Sequence, residues 1–384
     1  MNIQRIMAYA VKEWREITRD RLFFSLAFIV PPLLILLFGA GLSLDVEHIP
    51  FAWVDEDHSA ESRDYLARFS SGVMFDDHGA IAHADELARR MASGEIRAAV
   101  IIPHGFAAHL AAGKPTTVQT LIDGSFPSRA LTTQGYVDAI NADANLARIS
   151  KTVSEQAGMT EVQARKRLTP IRLSVRYLYN EAVKSIWSIG PKLIMVILMI
   201  SPPFLTALGV VREKESGAIF NLYASNLSRG EYLLGKLAPY VGISFLNAWV
   251  LWAIVVLGFG VPFRGEIVFF TVATAVYVLC TTGIGLLVSV LTRTQIAAMI
   301  VTTIVTVVPA VLYSGVLIPV PSLSGAGQWI AHALPAMYYT DIVTGCFLKG
   351  SGLAEMWREL AVLAAYALAL FTAGYRLMSK RPAQ

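Results

Sequence analysis

Gly230, Gly235 and Lys236 stand at the spacing with which a phosphate-binding loop holds a nucleotide. The match ends at Leu237, where that loop needs a hydroxyl for its metal ion, and an apolar run follows where a soluble helix should open. No nucleotide site is therefore assigned to this chain. Two clusters of metal-ligating residue types, Asp55-Glu56-Asp57-His58 and Asp76-Asp77-His78, each directly follow a short strand-like run, where loop residues are polar for solvation alone. No metal is expected there. Cys280 and Cys346 lie in settings too different to suggest a disulfide or a metal pair. No nucleophile elbow, paired catalytic carboxylate or His-Glu-x-x-His pattern occurs, so no catalytic residue is assigned.

What remains is charge placed where it can transmit force. Arg212 to Tyr240 form a charged, glycine-punctuated hairpin between two long apolar runs. Fifty-five per cent of residues are hydrophobic, 16% are charged and the mean hydropathy is +0.53, values of an integral membrane protein. A hydrocarbon core about 30 Å thick needs roughly 20 apolar residues per helix. Six runs meet that length: 22–44, about 186–211, 237–260, 267–291, 296–318 and 357–378. The first is too long for the apolar region of a cleavable signal, so it reads as an anchor.

Orientation follows from basic residues near the span ends. Arg15, Arg19, Arg21, Arg212, Lys214, Arg229, Lys236, Arg293, Arg376, Lys380 and Arg381 fall on one side, against Lys184, Arg264 and Lys349 on the other. Both termini are therefore expected in the cytoplasm, and the net charge of +4 reflects topology. The run Arg165-Lys166-Arg167 is no nucleic-acid arm.

These patterns predict a mostly α membrane protein of six transmembrane helices, with an N-terminal amphipathic helix and an inserted α/β extracytoplasmic domain. Residues 1–21 place Ile3, Ile6, Met7, Ala10, Trp14 and Ile17 on one helical face, and Arg5, Lys12, Arg15, Glu16 and Arg19 on the other. Such a helix lies along the inner membrane surface, with an elbow between Arg19 and Phe24. Residues 45–185 alternate strand-like runs (49–54, 97–102, 117–122) with helical ones (60–69, 85–91, 128–153), which implies a small α/β domain. The domain from 186 to 378 carries spans two to six, including the hairpin 212–236, and 379–384 is a tail. Residues 319–350 read as two short helices dipping into the outer leaflet and packing on spans five and six. Lys192 sits near the outer end of span two, close enough to snorkel, and Asn247 lies inside span three. Prolines 31–32, 202–203 and 309 should bend their spans, while Thr281, Thr282, Gly283 and Gly285 allow close helix approach.

Arg212-Glu213-Lys214-Glu215, Gly217, Leu222 and Leu234-Gly235-Lys236 resemble the signature of type-2 ATP-binding-cassette (ABC) exporter permeases. Ser314-Gly315, Ile318-Pro319, Pro335 and Phe347-Leu348-Lys349-Gly350 resemble the outer segment of that class. Arg176-Tyr177 and Tyr179-Asn180 fit its multidrug branch with a large external domain. The resemblance covers nearly the whole chain, although Ala218, Asn226, Glu181 and Thr344 depart from the usual residues of the branch.

That resemblance implies a multi-pass efflux permease of a bacterial inner membrane, paired with a second permease chain as homodimer or heterodimer. Each would rest on a separate ABC ATPase subunit that binds ATP and Mg, so the chain would bind no cofactor directly and would be no enzyme. It implies coupling through Arg212, Glu213, Lys214, Glu215, Gly217 and Leu222, with a coupling helix from Glu213 to about Tyr223. Gly235 and Lys236 would end the coupling loop. Spans two and five would line a shared cavity. Pro319, Pro335, Lys349 and Gly350 become candidates for an outer gate. The external domain resembles those that work with a periplasmic adaptor and an outer-membrane channel. Glu213 and Glu215 would offer charge to a basic groove of the ATPase, and Gly217 would permit close backbone approach. Export of a lipid or glycan is the alternative within transport; a membrane-anchored ligand sensor is the alternative outside it.

Overall fold

A computed structural model of the chain describes residues 2–41, 46–171, 173–217 and 228–377. Two compact units emerge: Met1–Ser43 with Tyr177–Gln384, and Leu44–Arg176.

The first unit begins with helix α1 (Ile3–Arg19), capped by the Asn2 side chain. The extended backbone of Asp20 separates it from α2 (Arg21–Gly41), the first of six helices long and apolar enough to cross a membrane. The other five are α8 (Ser185–Glu215), α9 (Arg229–Gly258), α10 (Ile267–Leu291), α11 (Gln295–Tyr313) and α14 (Leu353–Leu377). Between α11 and α14 stand α12 (Gly325–His332) and α13 (Pro335–Thr344), with a π-helical turn over Gly345–Lys349.

The most apolar window of α8 is 89% buried, against 22% for α2, 22% for α11 and 17% for α14. A helix apolar all round belongs in a core, and Leu193 to Met199 are buried without a break. Its own chain thus covers α8, whereas α11 keeps an open face. Glycines bring its neighbours close. A Cβ on Gly285 would stand 2.5 Å from the carbonyl oxygen of Pro203, and one on Gly283 3.0 Å from Leu370. Helix α13 packs on α8, α10 and α14, not chiefly on span five, while α12 packs on the end of α11.

One proline explains two polar residues. Pro31 has no N–H to offer the preceding turn, which opens into a π-helix over Ser25–Ile29. The carbonyls of Leu26 and Ala27 instead accept hydrogen bonds from Ser201 Oγ at 3.1 Å and Asn247 Nδ2 at 2.6 Å. Asn247 is therefore a backbone cap between spans, the satisfaction that a polar group inside a membrane protein requires. Lys192 does not simply snorkel: its Nζ donates to the Gly315 carbonyl at 2.9 Å, at the end of α11.

The second unit holds a four-stranded sheet, β1 (Ile49–Asp55), β2 (Phe75–Ala80), β3 (Ala98–Ile102) and β4 (Gln119–Ile122), in the order β2-β1-β3-β4. The first three are parallel and β4 is antiparallel to β3. Helices α3 (Ala60–Ser70), α4 (Ala84–Ala92), α5 (Phe106–Ala111), α6 (Pro127–Ala157) and α7 (Glu161–Leu168) surround it. Phe51, Val100 and Ile102 face a core with Phe69 and Phe106, while Ala52, Val54 and Ala99 face another with Leu87 and Ile96. The sequence hid β2, because Asp76, Asp77 and His78 lie within it and not in a loop after it. An edge strand wetted on one side tolerates such residues.

Both acidic clusters have structural work. Asp55 accepts from the N–H groups of Asp57 and His58, each at 3.0 Å, and from Ser62 Oγ at 2.6 Å. Asp57 accepts from the N–H of Ala107 at 3.0 Å, and Asp76 pairs with His48 at 2.9 Å.

Candidate functional site

The helices carry on past the point where hydropathy ends. Helix α8 continues through Arg212, Glu213, Lys214 and Glu215, and α9 already begins at Arg229. Lys214 at one end suits a helix C-terminus, and a Ser228–Glu231 capping box starts the other. Much of the hairpin 212–236 is thus two helix ends. A separate coupling helix beginning at Glu213 is not seen, since Glu213 to Glu215 are the last turn of α8. Leu222, and the rest of that expected helix from Ala218 to Tyr223, lie outside the described residues, as does Asn226. Gly217 follows the helix with φ +76°, the left-handed conformation that ends helices and favours glycine.

Around these ends lies a buried polar cluster. Lys236, 1% exposed, bonds Glu13 Oε1 at 2.7 Å and Glu213 Oε1 at 3.0 Å. Glu213 also accepts from Tyr9 at 2.8 Å, Lys12 at 3.0 Å and Tyr232 at 2.9 Å. Tyr240 donates to the other oxygen of Glu13 at 3.1 Å. Two carboxylates, two ammoniums and three phenols from α1, α8 and α9 satisfy one another, as buried charges must. Burial raises the Glu13 carboxyl above its ordinary range, opposed by the Lys236 ammonium.

Two glycines make room for this arrangement. A Cβ on Gly209 would meet Tyr240 Oη at 2.0 Å, and one on Gly235 would meet the Ile6 carbonyl oxygen and Tyr9 Cβ, both at 3.0 Å. Glu231 ties in the start of α1 as well, accepting from the N–H of Asn2 at 2.6 Å. Arg212 pairs with Asp20 at 2.6 Å, Lys214 donates to the Ser289 carbonyl, and Glu215 accepts from Gln295 Nε2 at 2.8 Å.

The structure therefore corrects the manner in which Glu213 could act. Its charge is turned inward and fully engaged, so it is not offered to a basic groove; Glu215 is the exposed acid. The carboxylates of Glu13, Glu16 and Glu213 lie close enough to share a metal ion, but Lys12 and Lys236 already sit among them and balance the charge. This is an ion-pair lock. Gly230 to Lys236 are continuous helix with no phosphate-binding loop.

The outer-gate candidates scatter along one segment. Pro319 precedes a short 3-10 turn, Pro335 is the buried first residue of α13, Lys349 is exposed, and Gly350 takes φ +74°. The 259–266 connection seats on this segment, with the Arg264 and Gly265 N–H groups donating to the Cys346 carbonyl at 3.2 and 2.7 Å.

Sequence reasoning missed Tyr9, Lys12, Glu13, Tyr232 and Tyr240 as site residues. Glu13 left a signal, for it falls between Ala10 and Ile17 at the spacing of the apolar stripe of α1. A charge on such a stripe needs a partner.

Over residues 21–376 the sequence matches the family described as ABC-2 family transporter protein. It is 30% identical over 349 residues to "Probable multidrug ABC transporter permease YbhS" of Escherichia coli (strain K12), covering 91% of this chain and 89% of that one. Identity to "Probable multidrug ABC transporter permease YbhR" of the same organism is 26% over 357 residues, covering 92% and 93%. "Inner membrane transport permease YhhJ" of that organism is 24% identical over 293 residues, covering 75% and 74%.

Proposed function

The chain belongs to the ABC-2 family of transporter proteins, and from that premise we propose that it is the membrane permease of an ATP-driven exporter of drugs or other amphipathic compounds. Members of this family are membrane subunits, and the ATPase activity resides on a separate subunit. ATP and Mg are bound there. A second permease chain completes the pathway, and both termini face the cytoplasm of a bacterial cell. The inserted unit meets a periplasmic adaptor and, through it, an outer-membrane channel. The names of the relatives support the substrate class.

One observation carries the mechanism: the Glu13–Lys236–Glu213 lock joins α1, α8 and α9 at the end where the hairpin lies. Helix α8 runs from that lock through the centre of its bundle. A push from the ATPase on the hairpin therefore moves the three helices together and reaches the far end through α8. The partner must contact the two states of the bundle differently, because equal binding shifts nothing. Arg212, Lys214, Glu215 and Gly217, with Gly235 and Lys236 behind them, form the coupling region. Pro319, Pro335, Lys349 and Gly350 border the exit.

Copurification with an ABC ATPase and substrate-stimulated hydrolysis over a drug and lipid panel test this reading. Glu215→Arg should leave basal hydrolysis intact and lower transport in proteoliposomes on the order of tenfold, the size of an ordinary coupling energy. Transport unchanged by that reversal removes the exposed acid from the mechanism. Stimulation by lipids alone would replace drug efflux with lipid export.

A further inference from the structure

We propose that a notch between α1 and the end of α8 binds the phosphate of an anionic phospholipid, held by Lys12, Arg15, Arg19 and Arg212. The notch has a volume of about 530 Å³, and Glu16 and Asp20 also line it. Both acids are already occupied: Asp20 holds Arg212 at 2.6 Å and Glu16 holds Lys12 at 3.3 Å. Arg15 and Arg19 are exposed, and among the described residues neither joins an ion pair. Four cations thus face two acids, with two guanidiniums unmatched.

The surface beside the notch identifies the source of the anion. Ile3, Met7, Val11 and Trp14 are exposed along one stripe of α1. The Trp14 ring stands 6.4 Å from Phe28, which stands 5.1 Å from Phe24 on α2. Leu22, Phe24 and Ile29 continue the exposed apolar surface up that span. A single apolar face therefore runs from a membrane span onto α1 and ends beside guanidinium groups. An acyl chain fits the stripe while its phosphate enters the notch, and an interfacial Trp with adjacent basic residues is the ordinary chemistry of such a boundary. A soluble partner would have to cover apolar surface continuous with the span. Lys12 also bonds Glu213, so the lipid phosphate and the lock draw on one ammonium. The inference uses the proposed orientation only to choose the leaflet; binding in detergent is independent of it and of export.

The test is native mass spectrometry of the full-length chain in detergent, titrated with phosphatidylglycerol or phosphatidylcholine. The wild type should retain phosphatidylglycerol preferentially. Arg15→Gln with Arg19→Gln should weaken that preference roughly tenfold to thirtyfold, since each basic residue near an anionic lipid counts for about fivefold. Arg15→Lys with Arg19→Lys should restore much of it, and Arg358→Gln, an exposed change on α14, should leave it intact. Phosphatidylglycerol should raise the melting temperature of the wild type and not of the glutamine variant, which separates lost binding from misfolding. Equal preference in wild type and glutamine variant would overturn the proposal. So would displacement of the lipid by equimolar inorganic phosphate, which would mark a soluble-anion site. Exclusion of the lipid by an added ATPase subunit that protects Arg15 would assign the notch to that protein instead.

Discussion

At the α1 end of the membrane unit, three helices are joined by charge; around Gly265 and Cys346, the join is backbone against backbone. Lys236, Glu13 and Glu213 each hold partners on other helices. At Gly265 a Cβ would stand 2.7 Å from Cys346 Cα and 2.8 Å from the Ser351 carbonyl oxygen, so size decides. The contrast teaches where the unit can switch. Ion pairs exchange partners when another charge arrives, whereas close-packed backbone has no second arrangement of similar energy. Under the proposed mechanism, force applied at the charged end would be registered there, while the packed end would hold position.

The strongest way to break this comparison is Lys236→Ala. It leaves two buried carboxylates short of their central counter-charge, which should cost about 3–5 kcal/mol. A detergent melting curve or denaturant midpoint reads it, and a loss under about 1 kcal/mol would show that the cluster does not hold the helices. Gly265→Ala should cost less, about 1–3 kcal/mol by overpacking against backbone. Its loss should be the same at every pH, because no charged group at that contact is changed; a loss that varied with pH would erase the distinction between the ends.

The smallest effect is the pH slope from Glu13. Its carboxyl is raised by burial above the ordinary 4.5, so the native state keeps a proton that the unfolded chain has released. Stability contributed by this group is present below 4.5 and is lost as pH rises through the native value, then levels off. A melting series should show that decline in the wild type, and Glu13→Gln should flatten it. An unchanged slope in the variant would mean that another group titrates.

Much of the fold was legible because its signals are local. Six apolar runs became six helices, and the strand-like runs at 49–54 and 97–102 became β1 and β3 within a residue or two. Helix ends were misplaced where charge was read as a boundary, at Arg212 and before Leu237. A helix is ended by its caps and dihedral angles, and both stems keep helical geometry beyond the apolar stretch. Strand β2 was hidden by polar residues that an edge strand can carry. At the site, Lys236 and Glu213 were singled out, but the inward direction of Glu213 was not.

From the residues in order came the membrane class, the span number, the inserted polar unit and the family resemblance, because hydropathy, periodicity and short motifs belong to neighbouring residues. Only the tertiary structure decided that Lys236 meets Glu13, 223 positions away, that Asn247 caps a carbonyl beside Pro31, and that α8 rather than α11 lies at the centre. Partner choice for a buried charge is settled by what packing brings within about 3 Å, and no spacing along the chain encodes that distance.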